Sequence, residues 1–86
     1  MGIAVQSEVT EGFKIYPNPA SDQLTVSLHD KADYFRIIDL TGKVIFETKD
    51  VNDSNFTIDV SKYSKGIYFV IAKIGDKLER QKLLVD

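Results

Sequence analysis

The groups in this chain with the types and spacing to attempt chemistry are few. They are one imidazole, His29; two aspartates at strand-like positions, Asp39 and Asp59; and the oxygen-rich run Asp50-Val51-Asn52-Asp53-Ser54-Asn55. A serine-histidine-aspartate relay would have to recruit His29, which follows an alternating run and stands beside Asp30-Lys31, the composition of a solvated strand end. No G-x-S-x-G elbow accompanies it. Two carboxylates serving glycoside hydrolysis would face each other across a cleft about 5–10 Å wide, and a chain of 86 residues has little material for one. The run from Asp50 repeats oxygen ligands as a calcium loop does. Its sixth position is Asn55 rather than glycine and its twelfth is Ser61 rather than glutamate, so it reads as a polar loop. The chain has no cysteine, which removes thiolate nucleophiles, thiolate metal ligands and disulfides together. The residues argue for no enzyme, no metal and no cofactor. Tyr16, Tyr34, Tyr63 and Tyr68 could stack on sugar rings, but each also reads as core or rim packing with its hydroxyl at the surface.

The elements that must position these groups are strands. With 86 residues, 43% of them hydrophobic and 28% charged, the chain has room for one domain with one modest core. A net charge of −2 gives no clustered cations for nucleic acid, and no apolar run reaches the roughly 18 residues that insert into a bilayer. Residues 1–12 are polar without useful periodicity and read as a flexible tether from something upstream. From Phe13 onward the period is two. Leu24, Val26 and Leu28 alternate with Gln23, Thr25 and Ser27, and Phe56, Ile58 and Val60 alternate with Thr57 and Asp59, the pattern of half-buried strands. Tyr34 to Leu40 and Ile67 to Ala72 are apolar on both faces and belong in the middle of sheets.

Turn chemistry joins these runs into hairpins. In Asp39-Leu40-Thr41-Gly42-Lys43, Gly42 can take the positive φ of a turn closed by a bulge, and Ile74-Gly75-Asp76-Lys77 offers a two-residue loop. Ser61 to Lys65 is too short for a stable helix and reads as one turn or a loop. Seven strands are expected, near residues 13–16, 23–28, 33–40, 43–48, 55–60, 66–73 and 77–85. That count predicts an all-β fold, a small antiparallel Ig-like β-sandwich, with a small barrel as the alternative because periodicity does not say whether the sheet closes.

Two features look functional rather than merely structural. Tyr16-Pro17-Asn18-Pro19-Ala20-Ser21-Asp22 is a rigid elbow. Each proline fixes its φ and lacks an N-H, so a strand through Ile15 stops near Pro17 and is expected to pair again only after Ser21 and Asp22. The last strand, Lys77 to Val85, carries cations and ends in Leu83-Leu84-Val85. As a sheet edge with free backbone groups it could be a handle for another protein by strand addition, or its charges could simply discourage such pairing.

The same residues carry a resemblance. The YPNPASD opening at 16–22, the central block with Asp39, Gly42 and Lys43, the block Asp59-Val60-Ser61 with Gly66-Ile67-Tyr68-Phe69-Val70, and the terminal Lys82-Leu83-Leu84-Val85 resemble the C-terminal sorting domain (type A) of the type IX, or Por, secretion system of Bacteroidota. It covers nearly everything from Phe13 to Val85, with Tyr63 standing where leucine is common. The resemblance implies residues 13–86 as the sorting domain, directing an attached cargo through the periplasm and across the outer membrane to the cell surface or the medium. It implies as partners the outer-membrane translocon and its shuttle protein, the upstream cargo domain, and a sortase-like cysteine protease that cuts in the tether. Nucleic acid and direct membrane insertion are not among them. Recognition is expected at Lys82, Leu83, Leu84, Val85, Gly66 and Tyr68; Tyr16, Pro17, Asn18, Pro19, Asp39, Gly42 and Lys43 form the structural motif. An Ig-like accessory or carbohydrate-binding module of a secreted enzyme is the alternative.

Overall fold

The computed structural model describes residues 12–86. Seven strands follow one another: β1 (Phe13–Tyr16), β2 (Gln23–Leu28), β3 (Ala32–Ile38), β4 (Val44–Val51), β5 (Asn55–Asp59), β6 (Gly66–Ile74) and β7 (Lys77–Val85). They form a three-stranded sheet in the order β1-β2-β5 and a four-stranded sheet in the order β4-β3-β6-β7, every pairing antiparallel. Because no strand of one sheet continues the ladder of the other, the architecture is an Ig-like sandwich rather than a barrel. The expected strands are all present. β4 runs on to Val51, beyond the expected end at residue 48, since Ala32 still has Val51 opposite it.

Alternation places the core. Leu24, Val26 and Leu28 of β2 and Ile58 of β5 point inward, against Phe35 and Ile37 of β3, Tyr68, Val70 and Ala72 of β6, and Leu83 and Val85 of β7. Phe35 stands at the centre, edge-on to Phe13 at 5.8 Å and to Phe56 at 5.4 Å between ring centroids, the geometry in which ring edges meet ring faces. The two runs read as apolar on both faces became the inner strands of the larger sheet, as their pattern required. No polar or charged side chain is buried among the described residues, so the core carries no desolvated charge.

The turns follow their sequence. Gly42 has φ 91°, its N-H bonds the Asp39 carbonyl at 3.0 Å, and the ladder slips by one residue between Ile37 and Ile38. Only a residue without Cβ takes that φ without strain. The Asp39 carboxylate accepts from the Thr41 hydroxyl at 2.6 Å and from the Thr41 and Lys43 amides at 2.9 and 3.0 Å. Asp59 accepts from the Ser61 hydroxyl at 2.7 Å and its amide at 2.9 Å. Both aspartates are therefore occupied with shaping turns. Ile74 and Lys77 pair directly, leaving Gly75-Asp76 as the expected two-residue loop.

One expectation about the elbow is corrected. Pairing resumes before Ser21: Ala20 forms a parallel bridge with Val85. The prolines end β1 but do not stop the chain between them and Ser21 from lying along another strand.

Donation by the Thr41 hydroxyl, then by the Lys43 and Thr41 amides, holds the Asp39 carboxyl below its ordinary value of 3.8. The Ser61 hydroxyl and amide do the same for Asp59. A depressed folded value means that this stabilisation is present above the unfolded value and is lost as pH falls through the folded one. Urea denaturation of the parent should show stability declining as pH falls below about 4. The D39N/D59N variant, which keeps an acceptor and cannot ionise, should decline less; equal slopes would contradict this origin.

Candidate functional site

The elbow between β1 and β2 does more than reverse the chain. It leaves the three-stranded sheet and lies along the outer edge of β7, the last strand of the other sheet. Tyr16-Pro17 and Asn18-Pro19 are cis peptide bonds. Four hydrogen bonds join elbow and strand. The Asn18 side-chain amide donates to the Lys82 carbonyl at 2.9 Å, and its oxygen accepts from the Leu84 N-H at 3.0 Å. The Ala20 N-H donates to the Leu84 carbonyl at 2.9 Å, and the Ala20 carbonyl accepts from the Asp86 N-H at 2.8 Å. Between two prolines that offer no N-H, the carboxamide of Asn18 stands in for a peptide group, since it carries one donor and one acceptor side by side.

This corrects in part the reading of the terminal strand as an edge with free backbone groups: β7 is the outermost strand of its sheet, but its outer groups from the Lys82 carbonyl to the Asp86 N-H are taken. From Lys82 onward β7 is held on both sides, by β6 through pairs such as Tyr68 with Leu83 and Gly66 with Val85, and by the elbow on the other. An incoming strand finds those groups taken. The side chains still alternate. Leu83 and Val85 are in the core at 0% and 3% exposure, whereas Lys82 is exposed and Leu84 is 39% exposed. Gln81 adds a tie between the sheets, donating its side-chain amide to the Phe13 carbonyl at 2.7 Å.

The other expected site residues gather at the same end of the sandwich. Tyr68 is buried, and its hydroxyl donates to the Ser64 carbonyl at 2.6 Å, which pins the loop before β6. Tyr63 packs on Tyr68 with ring centroids 5.7 Å apart, and burial pushes its phenol upward. Gly66 opens β6 at φ 145° opposite Val85. Asp39, Leu40 and Thr41 of the β3–β4 turn line an open groove of about 500 Å³ together with Tyr63, Gly66 and Tyr68. Tyr16, Pro17, Asn18 and Pro19 are exposed, as are Gly42 and Lys43. Blocks scattered from residue 16 to residue 85 thus meet around the end of the last strand.

His29 is exposed just beyond β2, its N-H bonded to the Gly12 carbonyl. Asp50 and Asn55 belong to β4 and β5, and no group of three metal-ligating side chains converges among the described residues. Tyr34 is half-buried and has one face covered by the Arg36 guanidinium at 3.9 Å, which leaves only the other face for a sugar ring. The expected tether lies outside the described residues apart from Gly12. Sequence reasoning missed the role of Asn18, although an asparagine confined between two prolines was the visible signal.

Replacing Asn18 with alanine removes two hydrogen bonds and uncovers the Lys82 carbonyl and the Leu84 amide. Because these groups can then bond water, N18A should cost about 1–2 kcal/mol in urea denaturation. N18D, which sets a carboxylate oxygen against the Lys82 carbonyl in place of the donor, should cost at least as much as N18A. No loss in N18A would show that the elbow rests on β7 without holding it.

Comparison with known proteins identifies the family. Residues 14–86 match the family described as the secretion system C-terminal sorting domain. The chain is 38% identical over 81 residues to beta-agarase D of Zobellia galactanivorans, which covers 93% of this chain and 16% of that protein. It is 31% identical over 87 residues to ulvan lyase NLR42 of Nonlabens ulvanivorans, covering 98% of this chain and again 16% of the relative. The chain thus spans about a sixth of the length of these curated relatives. A folded tail whose opening, central and closing blocks meet at one end, matched along nearly all its length, belongs to the family of type IX secretion system C-terminal sorting domains.

Proposed function

We propose that this domain is the address that carries an attached upstream protein from the periplasm across the outer membrane, and that it is read as a folded surface at the elbow and the terminal strand. The family is that of a sorting signal on secreted enzymes, which places the destination at the cell surface or outside the cell. Within that frame the partners are the outer-membrane translocon and its shuttle protein. A sortase-like cysteine protease then cuts in the tether before Phe13, where an extended backbone suits a protease cleft. The domain catalyses nothing in this scheme; the reactive thiol belongs to the protease.

The observation that carries this reading is the clamp on β7. The terminal block is bonded to β6 on one side and to the opening block on the other, so neither end of the domain forms its surface without the other. A receptor that reads Lys82, Leu84 and the exposed ring of Tyr16 therefore reads the folded state as well as the sequence. Leu83, Val85 and Tyr68 contribute by fixing that surface from within the core, and Gly66, Asp39, Gly42 and Lys43 by shaping the turns beside it.

The test attaches residues 13–86 to an inert periplasmic reporter in a host with a working type IX system. The reporter should reach the surface. Deletion of Lys82 to Asp86 should leave it in the periplasm. That deletion also removes core residues, so a second variant, K82A/L84S, alters only exposed side chains and should lower surface reporter at least about tenfold while circular dichroism shows the fold intact. Undiminished export of K82A/L84S would exclude the terminal strand as the recognition surface.

A further inference from the structure

The outer face of the four-stranded sheet carries a charge pattern unlike the rest of the molecule. The registers of β3 with β4 and β6, and of β6 with β7, lay its side chains out in rows across the sheet. One row is Lys49, Tyr34, Lys73 and Leu78. The next is Glu47, Arg36, Ile71 and Arg80. The third continues from Ile38 through Phe69 to Lys82, and the last pairs Ile67 with Leu84. Five cations stand on this face against the carboxylate of Glu47 and that of Asp33 at its border, in a chain whose net charge is −2. Among the described residues Lys49, Arg80 and Lys82 have no ion-pair partner, while Arg36 pairs with Glu47 and Lys73 with Asp33.

Between the cations the face is apolar and aromatic. Ile38, Phe69 and Ile71 are half-buried, and Ile67, Leu78 and Leu84 are exposed. The Arg36 guanidinium lies on Tyr34 at 3.9 Å, and Arg80 lies over Phe69 at 5.8 Å. Stacked guanidinium groups are held in place and keep N-H donors for carboxylates, and arginine with aromatic residues is the composition enriched in the centres of protein interfaces. A membrane-seeking face would carry its apolar groups outermost, to sink below the headgroups. Here the central apolar side chains are partly covered and the long cations rise around them.

We propose that this face docks an acidic protein surface, one presenting aspartate and glutamate carboxylates among apolar side chains, and that this contact steers the domain to its receptor. The proposal rests on the sorting reading and names the chemistry of the partner. Complementary charge raises the encounter rate and selects against basic competitors, and it weakens with salt. The face adjoins the terminal strand through Lys82 and Leu84, so a partner seated on it also reaches the clamp.

The experiment uses the same reporter fusion with two variants of equal charge change. K49E/R80E reverses two cations of the face that have no ion-pair partner among the described residues, and K14E/K31E reverses two exposed lysines elsewhere. Circular dichroism verifies that both are folded. K49E/R80E should cut surface reporter at least about tenfold, K14E/K31E should change it by less than about twofold, and a photo-crosslinking residue at Ile71 should label an acidic protein in the parent but not in K49E/R80E. If the parent tail is exported and K49E/R80E is exported equally, or K14E/K31E fails as badly, the docking face is wrong and the sorting reading stands. Sedimentation of the parent with vesicles of phosphatidylglycerol in phosphatidylethanolamine, lost in K49E/R80E, would assign the face to a lipid surface and overturn the proposal. A parent tail that leaves the reporter in the periplasm would remove the sorting reading and this one with it.

Discussion

Asn18 holds the outer edge of the last strand, and much of the rest follows from that contact. A strand at the end of a chain is usually the weakest in its sheet, because one row of its backbone groups faces water and its terminus frays. Here the carboxamide of Asn18 and the peptide groups of Ala20 take up that row from Lys82 to Asp86. The first loop of the domain thereby fastens its last residues. Such a contact spans 66 positions in sequence for the Asn18–Leu84 pair, so it forms only when the intervening sandwich has folded.

This constraint gives a physical meaning to an address at the end of a protein. A short linear tail would be readable in any state, folded or not. A surface assembled from residues 16 to 20 and 82 to 86 exists only on the completed domain, so under the proposed function a partner that reads it reads the folded state. The same closure covers an edge that, ending in Leu83-Leu84-Val85, would otherwise be a template for pairing with other chains. Two sheets with no buried polar side chain among the described residues provide the frame. The carboxylates that first suggested chemistry, Asp39 and Asp59, each use one oxygen to shape a turn.

Most of the fold was legible because it is written in local pattern. The alternation of Leu24, Val26 and Leu28, the two-faced apolar runs around Phe35 and Val70, and the glycines at 42 and 75 each determine a strand or a turn within a few residues. The four blocks were legible too, as a resemblance. Their meeting at one end was not, because pairing between strands distant in sequence leaves no periodic trace. The edge of β7 was misjudged for a related reason. Charges along Lys77 to Lys82 do mark an edge strand, but what covers an edge depends on where a distant loop travels. Asn18 read only as part of a rigid elbow, and its use as a substitute peptide group depends on the strand it meets.

The two-sided hold on the terminal strand is open to direct measurement by amide hydrogen exchange. The Leu84 and Asp86 N-H groups point away from β6 toward the elbow. If Asn18 and Ala20 bond them as described, both amides should exchange together with those of Leu83 and Val85, through opening of the folded domain, and lose that protection in N18A. Exchange of Leu84 and Asp86 at the rate of an unstructured peptide, while Leu83 and Val85 stay protected, would show that the edge is open and that the elbow does not close it.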